Sequence, residues 1–303
     1  MQKKKCIVFG ATGFLGPHVL RELAGTPCLA VGRQEPAQEL SFGASFASAD
    51  GVATQAGCDL TYGAKAVVFL AAVSSMGEAE RDPARAFRLN AEWPAEVASY
   101  CSSAEVPFLY VSTDLVFGGR PPSRGQRYTE SDTPSPVGVY GESKLRGEQL
   151  VMAANPEALI VRLPLLFGGS FGRGLGPEDG LIAAVKAGER PLLFSDEWRT
   201  ALDVRDAARA LVFLSENPER RGTLHVAGEE RLTRADLGLR LLIRGGLSEA
   251  AARSSVRIAT QTDAGLEGKR AKDASLDSGA ARALFEGNGL ELEVESLVPL
   301  SDG

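Results

Sequence analysis

Short runs of Val, Ile, Leu and Phe recur along the chain, separated by longer stretches whose apolar positions follow helical spacing. Cys6 to Phe9, Cys28 to Val31, Ala66 to Ala72, Phe108 to Ser112 and Ala158 to Leu163 read as strands. Their nearly continuous apolar character implies burial on both faces, as in a parallel sheet. Helices are expected near 14–25, 82–103, 140–154, 178–188 and 203–216. This alternation over the first 165 residues predicts an α/β fold, a Rossmann-like doubly wound parallel sheet. Asp82-Pro83 suits a helix start, and Pro94 should kink or restart the same helix. Between 118 and 137, Gly118, Gly119, Pro121, Pro122, Gly125, Pro134 and Pro136 mark a loop long enough to be functional. Beyond 165 the pattern loosens, with a short strand at Thr223 to Ala227 between two helices. The expected division is a dinucleotide-binding domain over 1–165 and a smaller substrate-binding lobe over 166–303, with some exchange of chain between them.

Composition narrows the function classes. The 303 residues carry 33 Lys and Arg against 39 Asp and Glu, a net charge of −6, which argues against a nucleic-acid partner. No apolar run approaches the roughly 20 residues of a membrane span, so a soluble, cytoplasmic protein is expected. Lys3-Lys4-Lys5 ahead of Cys6 to Phe9 superficially resembles a signal peptide, but the apolar run meets Gly10 after four residues. Cys6, Cys28, Cys58 and Cys101 are widely spaced, and His18 and His225 are the only histidines, so no metal site is expected and the thiols should be free.

The first candidate chemistry is the turn Gly10-Ala11-Thr12-Gly13-Phe14-Leu15-Gly16, which follows the first strand and opens a helix. Gly10 permits the tight turn, Gly13 lets backbone approach a pyrophosphate, and Gly16 allows close packing of helix on strand. The alternative is an ordinary strand-to-helix turn. The second strand ends Val31-Gly32-Arg33-Gln34, placing a cation where NAD-binding folds hold an acid; Arg33 there favours NADP(H) through a 2′-phosphate. A solvated surface arginine is the plainer alternative. Asp50 is a candidate adenine contact or an exposed loop residue.

The second is Tyr140-Gly141-Glu142-Ser143-Lys144, whose four-residue spacing sets Tyr140 and Lys144 one turn apart on one helix face. Ser112-Thr113-Asp114 ends the fifth strand, at the edge where open α/β sheets bind ligands. A phenol is a poor acid or base at neutral pH unless positive charge stabilises its anion, and Lys144 with an oxidised nicotinamide would supply that charge. For carbonyl reduction, Thr113 would bond the substrate oxygen, Tyr140 donate the proton, and Lys144 orient the cofactor ribose. Capping of a turn is the alternative for Ser112 and Asp114.

These residues, together with Arg88-Leu89-Asn90-Ala91, the run from Ser112 to Gly119, Tyr140 to Glu148 and Arg162 to Gly168, resemble the extended short-chain dehydrogenase/reductases, within them the dTDP-4-dehydrorhamnose reductase-like branch. The loop Ala71 to Pro83 and the segment Ala274 to Asp277 are similar to that branch as well. The resemblance implies Thr113, Tyr140 and Lys144 as the catalytic set, with Asn90 supporting a proton relay. It implies cofactor contacts at the glycine turn, Arg33, Ala71, Ala72, Asn90, Ser112, Tyr140, Lys144, Leu163 and Pro164. Ser74, Met76, Thr113 and Leu165 match positions near the sugar. Leu165 replaces the tryptophan of the rhamnose reductases, and Arg162 to Gly168 is closer to the regulatory β subunit of methionine adenosyltransferase. Trp198-Arg199-Thr200 offers a ring for a base and a guanidinium for a phosphate, or else a core Trp beside a surface Arg.

The expected function is NADPH-dependent reduction of a keto group on a nucleotide-linked sugar. An NAD-dependent epimerase is the alternative enzyme, and an NADP-binding regulatory subunit is the alternative of another class. A homo-oligomer is compatible with the fold. The acid that sugar dehydratases carry after Thr-Asp is replaced by Leu115, which argues against dehydration.

Overall fold

The computed structural model describes residues 4–49, 63–119, 126–292, 297 and 300. In chain order the elements are β1 (Cys6–Phe9), α1 (Gly16–Glu22), β2 (Cys28–Gly32), α2 (Gln38–Ser41), β3 (Ser45–Ser48), β4 (Ala66–Phe69), α3 (Met76–Arg81), α4 (Pro83–Phe87), α5 (Trp93–Ser103) and β5 (Phe108–Thr113). There follow α6 (Val139–Ala154), β6 (Leu159–Leu163), β7 (Leu166–Phe167), α7 (Pro177–Lys186), β8 (Leu192–Phe194), β9 (Trp198–Arg199), β10 (Leu202–Asp203) and α8 (Val204–Glu216). The last are β11 (Gly222–His225), β12 (Leu232–Thr233), α9 (Arg234–Arg244), α10 (Glu249–Ser255), β13 (Arg257–Ala259) and α11 (Gly279–Glu286).

Seven strands form one parallel sheet in the order β11-β6-β5-β4-β1-β2-β3. This is the doubly wound α/β fold expected, with strand order reversing between β1 and β4. Crevices open at such a switch point beyond the carboxyl ends of the strands. Alternate residues of β1 point to opposite faces: Cys6 and Val8 pack with residues of α1, α8 and α11, whereas Ile7 and Phe9 pack with residues of α5 and α6. On the second face the Phe9 and Phe69 rings stack at 5.2 Å, and Trp93 meets both edge-on.

Two departures from the sequence pattern shape the crevice. The run Ala66 to Ala72 stops being strand after Phe69, because residues 70–72 leave the ladder and turn along the cleft. The expected helix 82–103 is broken by a π turn at Arg88–Glu92, and α5 restarts with Pro94 in its first turn. Within 118–137, residues 120–125 lie outside the described residues, and Tyr128 bridges to Leu276.

Beyond 165 the chain works in two places. α8, β11 and α11 return to the main sheet, while α7, α9 and α10 enclose a separate small core around Leu193, Leu239 and Leu242. Cys6, Cys28 and Cys101 are buried free thiols, and Cys58 lies outside the described residues. Among the described residues no helix is long and apolar enough to cross a membrane, and none of His, Cys, Asp and Glu group into a metal cluster.

Candidate active site

A cleft of about 1090 Å³ runs along the carboxyl edge of the sheet, from the glycine turn at one end to residues of the C-terminal half at the other. The glycines are there for different reasons. Gly10 has φ +78°, and a Cβ on it would sit 2.5 Å from the Ala71 nitrogen; a Cβ on Gly16 would sit 2.3 Å from the Ala11 carbonyl oxygen. These two hold turn, helix and neighbouring strand together. Gly13 would meet only the Gly10 oxygen, at 3.3 Å, so packing alone does not require it. Its bareness fits a turn that a phosphate approaches closely. Thr12, Phe14 and Leu15 line the same end, as do Ala71, Ala72, Leu163 and Pro164. Arg33 is exposed at the cleft margin; Asp50 lies outside the described residues.

Arg173 was not picked out by the sequence. It donates to the carbonyl oxygens of Thr12 at 2.9 Å and Gly13 at 2.8 Å, fastening the 168–176 segment across the glycine turn. Phe171 of that segment has φ +56° and tilts against His18, whose Nε2 is 2.9 Å from the Gly169 oxygen. The segment's glycine richness was the available signal.

Thr113, Tyr140 and Lys144 face this cleft together. β5 delivers Thr113 at its carboxyl end. α6 begins after Gly138, at φ +84°, so Tyr140 and Lys144 fall on its first two turns. Thr113 donates to Asp114 Oδ1 at 3.0 Å and is also within bonding reach of the Tyr140 phenol. Lys144 is held by backbone and ring. Its Nζ donates to the Val111 oxygen at 2.7 Å and sits 4.1 Å from the centre of the Tyr110 ring. Burial therefore dominates both groups. It pushes the Tyr140 phenol up to about 12, with the Thr113 bond opposing and the Asp114 charge adding. It brings Lys144 down to about 7, with the Glu148 carboxylate opposing.

Under this pair lies a buried network absent from the sequence reading. Glu148, one turn beyond Lys144, takes Arg162 Nε at 2.9 Å and Nη2 at 2.6 Å, and Ser112 Oγ at 2.5 Å. Ser112 thus lines the cleft but gives its hydroxyl to Glu148. Arg162 Nη1 donates to His225 Nε2 at 3.2 Å, which leaves the ring proton on Nδ1 to donate to the Tyr128 oxygen at 3.1 Å.

Asn90 departs from expectation. It is fully buried outside the cleft lining, receiving the Val73 N–H at 2.8 Å and donating to the Val73 oxygen and Ser143 Oγ. The π turn points its amide at the Val73 backbone and at Ser143, through which it positions α6.

At the opposite end, Ser74, Met76 and Leu165 line the wall. Arg199 lies there too, but its Nη1 donates to the Trp198 oxygen at 2.6 Å, its Nη2 to Ala271 at 3.1 Å, and its Nε is 3.5 Å from Asp114 Oδ2. These bonds hold the guanidinium from which a phosphate contact is expected at the cleft wall. Trp198 is covered by the Arg231 guanidinium, 3.9 Å from its ring centre. Arg234 and Arg270, which the sequence reading missed, complete this end.

Residues 4–293 match the family described as RmlD substrate binding domain. The chain is 32% identical over 235 residues to a probable low-salt glycan biosynthesis reductase, Agl14, of Haloferax volcanii, covering 76% of this chain and 77% of that one. It is 32% identical over 177 residues to the dTDP-4-dehydrorhamnose reductase of Mycolicibacterium smegmatis, covering 56% of this chain and about half, 51%, of that protein. It is also 28% identical over 318 residues to methionine adenosyltransferase 2 subunit beta of Rattus norvegicus, covering 98% of this chain and 88% of that one.

Proposed function

The chain belongs to the RmlD substrate binding domain family, and from that membership we propose that it is an NADPH-dependent reductase of a keto group on a nucleotide-linked sugar. The observation carrying this reading is the meeting of Thr113, Tyr140 and Lys144 on the cleft that begins at the glycine turn. The residues fit the dinucleotide. Gly13 leaves space for a phosphate, Lys144 brings a buried amine to the wall, and Arg33 stands at the margin where a 2′-phosphate discriminates NADP(H) from NAD(H). When bound, NADPH supplies the hydride.

The chain's own groups supply the proton and hold the substrate. Tyr140 keeps its phenolic proton throughout the neutral range and gives it to the carbonyl oxygen as that oxygen becomes an alkoxide. Thr113 bonds the phenol in the resting cleft and aligns the transfer. Lys144, in its protonated form, binds the ribose hydroxyls. Ser74, Met76 and Leu165 border the sugar. We divide the chain accordingly into a dinucleotide-binding part over 1–165 and a substrate-covering part over 166–303, the latter lending α8, β11 and α11 to the former's sheet.

Tyr140→Phe tests this directly. Turnover of NADPH with keto-sugar nucleotides is expected to fall about 10²- to 10⁴-fold while NADPH binding is retained. Unchanged turnover removes Tyr140 from the chemistry.

A further inference from the structure

The chain between β7 and α7 crosses the glycine turn, and one side chain joins the two. Arg173 gives Nε to the Ser170 oxygen of its own segment at 3.2 Å, Nη1 to the Thr12 oxygen at 2.9 Å and Nη2 to the Gly13 oxygen at 2.8 Å. Around it Phe171, Gly172 and Gly174 all have positive φ, at +56°, +73° and +68°. Left-handed backbone at a phenylalanine persists only where surrounding contacts hold it. Here the Phe171 ring tilts against His18 at 4.6 Å and Phe42 at 6.0 Å, and the Leu175 N–H donates to the buried Ser170 hydroxyl at 3.3 Å.

Arg173 is not among the residues that line the cleft, whereas Thr12, Gly13 and Phe14 are. The guanidinium therefore sits behind the turn and acts through it. A trans peptide unit points its carbonyl and its N–H in opposite directions, and every described unit is trans. The unit joining Thr12 to Gly13 is pinned at both ends, its carbonyl on Arg173 and its N–H on the Gly10 oxygen at 3.0 Å. The next unit joins Gly13 to Phe14; its carbonyl is on Arg173, and its N–H has no backbone partner among the described residues. Holding that carbonyl from behind turns the Phe14 N–H toward the cleft, where a phosphate oxygen would accept it. The same bonds hold the segment down over the cleft, whose wall includes Leu175, Gly176 and Pro177, with Gly176 so near that a Cβ on it would sit 3.0 Å from the Phe14 ring.

We propose that Arg173 is a positioning residue for the pyrophosphate of the dinucleotide, and that the segment it fastens slows the cofactor's escape. The inference rests on the dinucleotide part of the reductase reading and is independent of the sugar.

The test reads binding, without turnover. The full-length protein, as wild type, Arg173→Met and Arg173→Lys, is titrated with NADPH, NADH and ADP-ribose, which share the pyrophosphate, and NADPH release is followed by stopped-flow fluorescence. Arg173→Met is expected to weaken all three by a common factor of about 10- to 100-fold, carried by faster release, with partial recovery in Arg173→Lys and an unchanged melting temperature of the ligand-free protein. Unchanged affinities overturn the proposal, as does a loss carried by slower association alone. A loss confined to NADPH overturns it too, since that would put Arg173 on the 2′-phosphate. So does a loss that comes with a lower ligand-free melting temperature and is not recovered by lysine, which would make the contact structural only. Failure of the dinucleotide reading shows differently: the wild type then binds none of the three.

Discussion

Lys144 is a residue whose place in the fold opposes its own charge. Its ordinary value is 10.5, and burial holds it near 7. Between those pH values the unfolded chain binds the proton and the folded chain does not, so this residue's destabilising effect is full below about pH 7 and fades as pH rises toward 10.5. Lys144→Met is therefore expected to raise the Tm at pH 7, by a margin that vanishes near pH 10.5, while weakening NADPH binding; calorimetry across that range checks it. A margin that stays constant with pH would mean that packing, not charge, sets the difference. Arg33 is argued at the same scale: Arg33→Asp is expected to weaken NADPH about 10-fold or more and leave NADH nearly unchanged, measured by the ratio of their dissociation constants. Both residues were legible in the sequence because their signals are local, a four-residue spacing and a strand-end position. The gathering of Arg199, Arg234 and Arg270 at one end of the cleft was not legible. Arg199, Arg234 and Arg270 are far apart in the chain, and their partners are carbonyls and carboxylates that only folding assembles.

Along α6, Tyr140, Lys144 and Glu148 follow one another at four-residue steps, so a single helix face carries proton donor, amine and the carboxylate beneath it. Glu148 closes that face against β6 through Arg162, both side chains nearly inaccessible. Removing one partner leaves a buried charge alone, so Glu148→Ala is expected to cost about 3–5 kcal/mol in a urea titration. The glycine turn gives a paired expectation. Gly16→Ala forces a Cβ onto the Ala11 carbonyl and should destabilise the fold, whereas Gly13→Ala should change stability little and NADPH affinity strongly. If both variants behave alike in thermal melts, the phosphate approach at Gly13 is wrong. Helical and strand periods made these elements readable in the chain. The π turn was not, since one extra residue in a turn barely disturbs an apolar pattern; Gly147, whose Cβ would lie 2.1 Å from the Asn90 oxygen, is its packing consequence.

Two histidines add side-chain bonds where the chain's second half meets its first. His225, on β11, accepts from Arg162 of β6 and donates to Tyr128, so it fixes the returning strand against both the sheet and the 126–130 segment. His18, on α1, holds Gly169 beyond β7. No periodicity in the sequence announces such returns, because a strand's partner is set by the sheet edge it reaches and not by its own residues; hence 165 looked like a boundary that β11 crosses. Burial is the leading cause that lowers both histidines below 6.5, with the Glu130 charge opposing at His225 and the Gly169 bond opposing at His18. As pH falls through that value the unfolded chain takes up protons that the folded one refuses, so stability must fall. Asp114 and Glu178, raised by burial, act in the opposite sense because they take protons first in the folded state. The test is therefore the difference that the histidines make, not the whole curve. Melting wild type and His18→Gln/His225→Gln between pH 7 and pH 5 should show the wild type losing Tm more steeply than the double variant. Equal slopes would mean that the histidines carry none of the acid sensitivity and leave the joint between the chain's two halves insensitive to histidine charge.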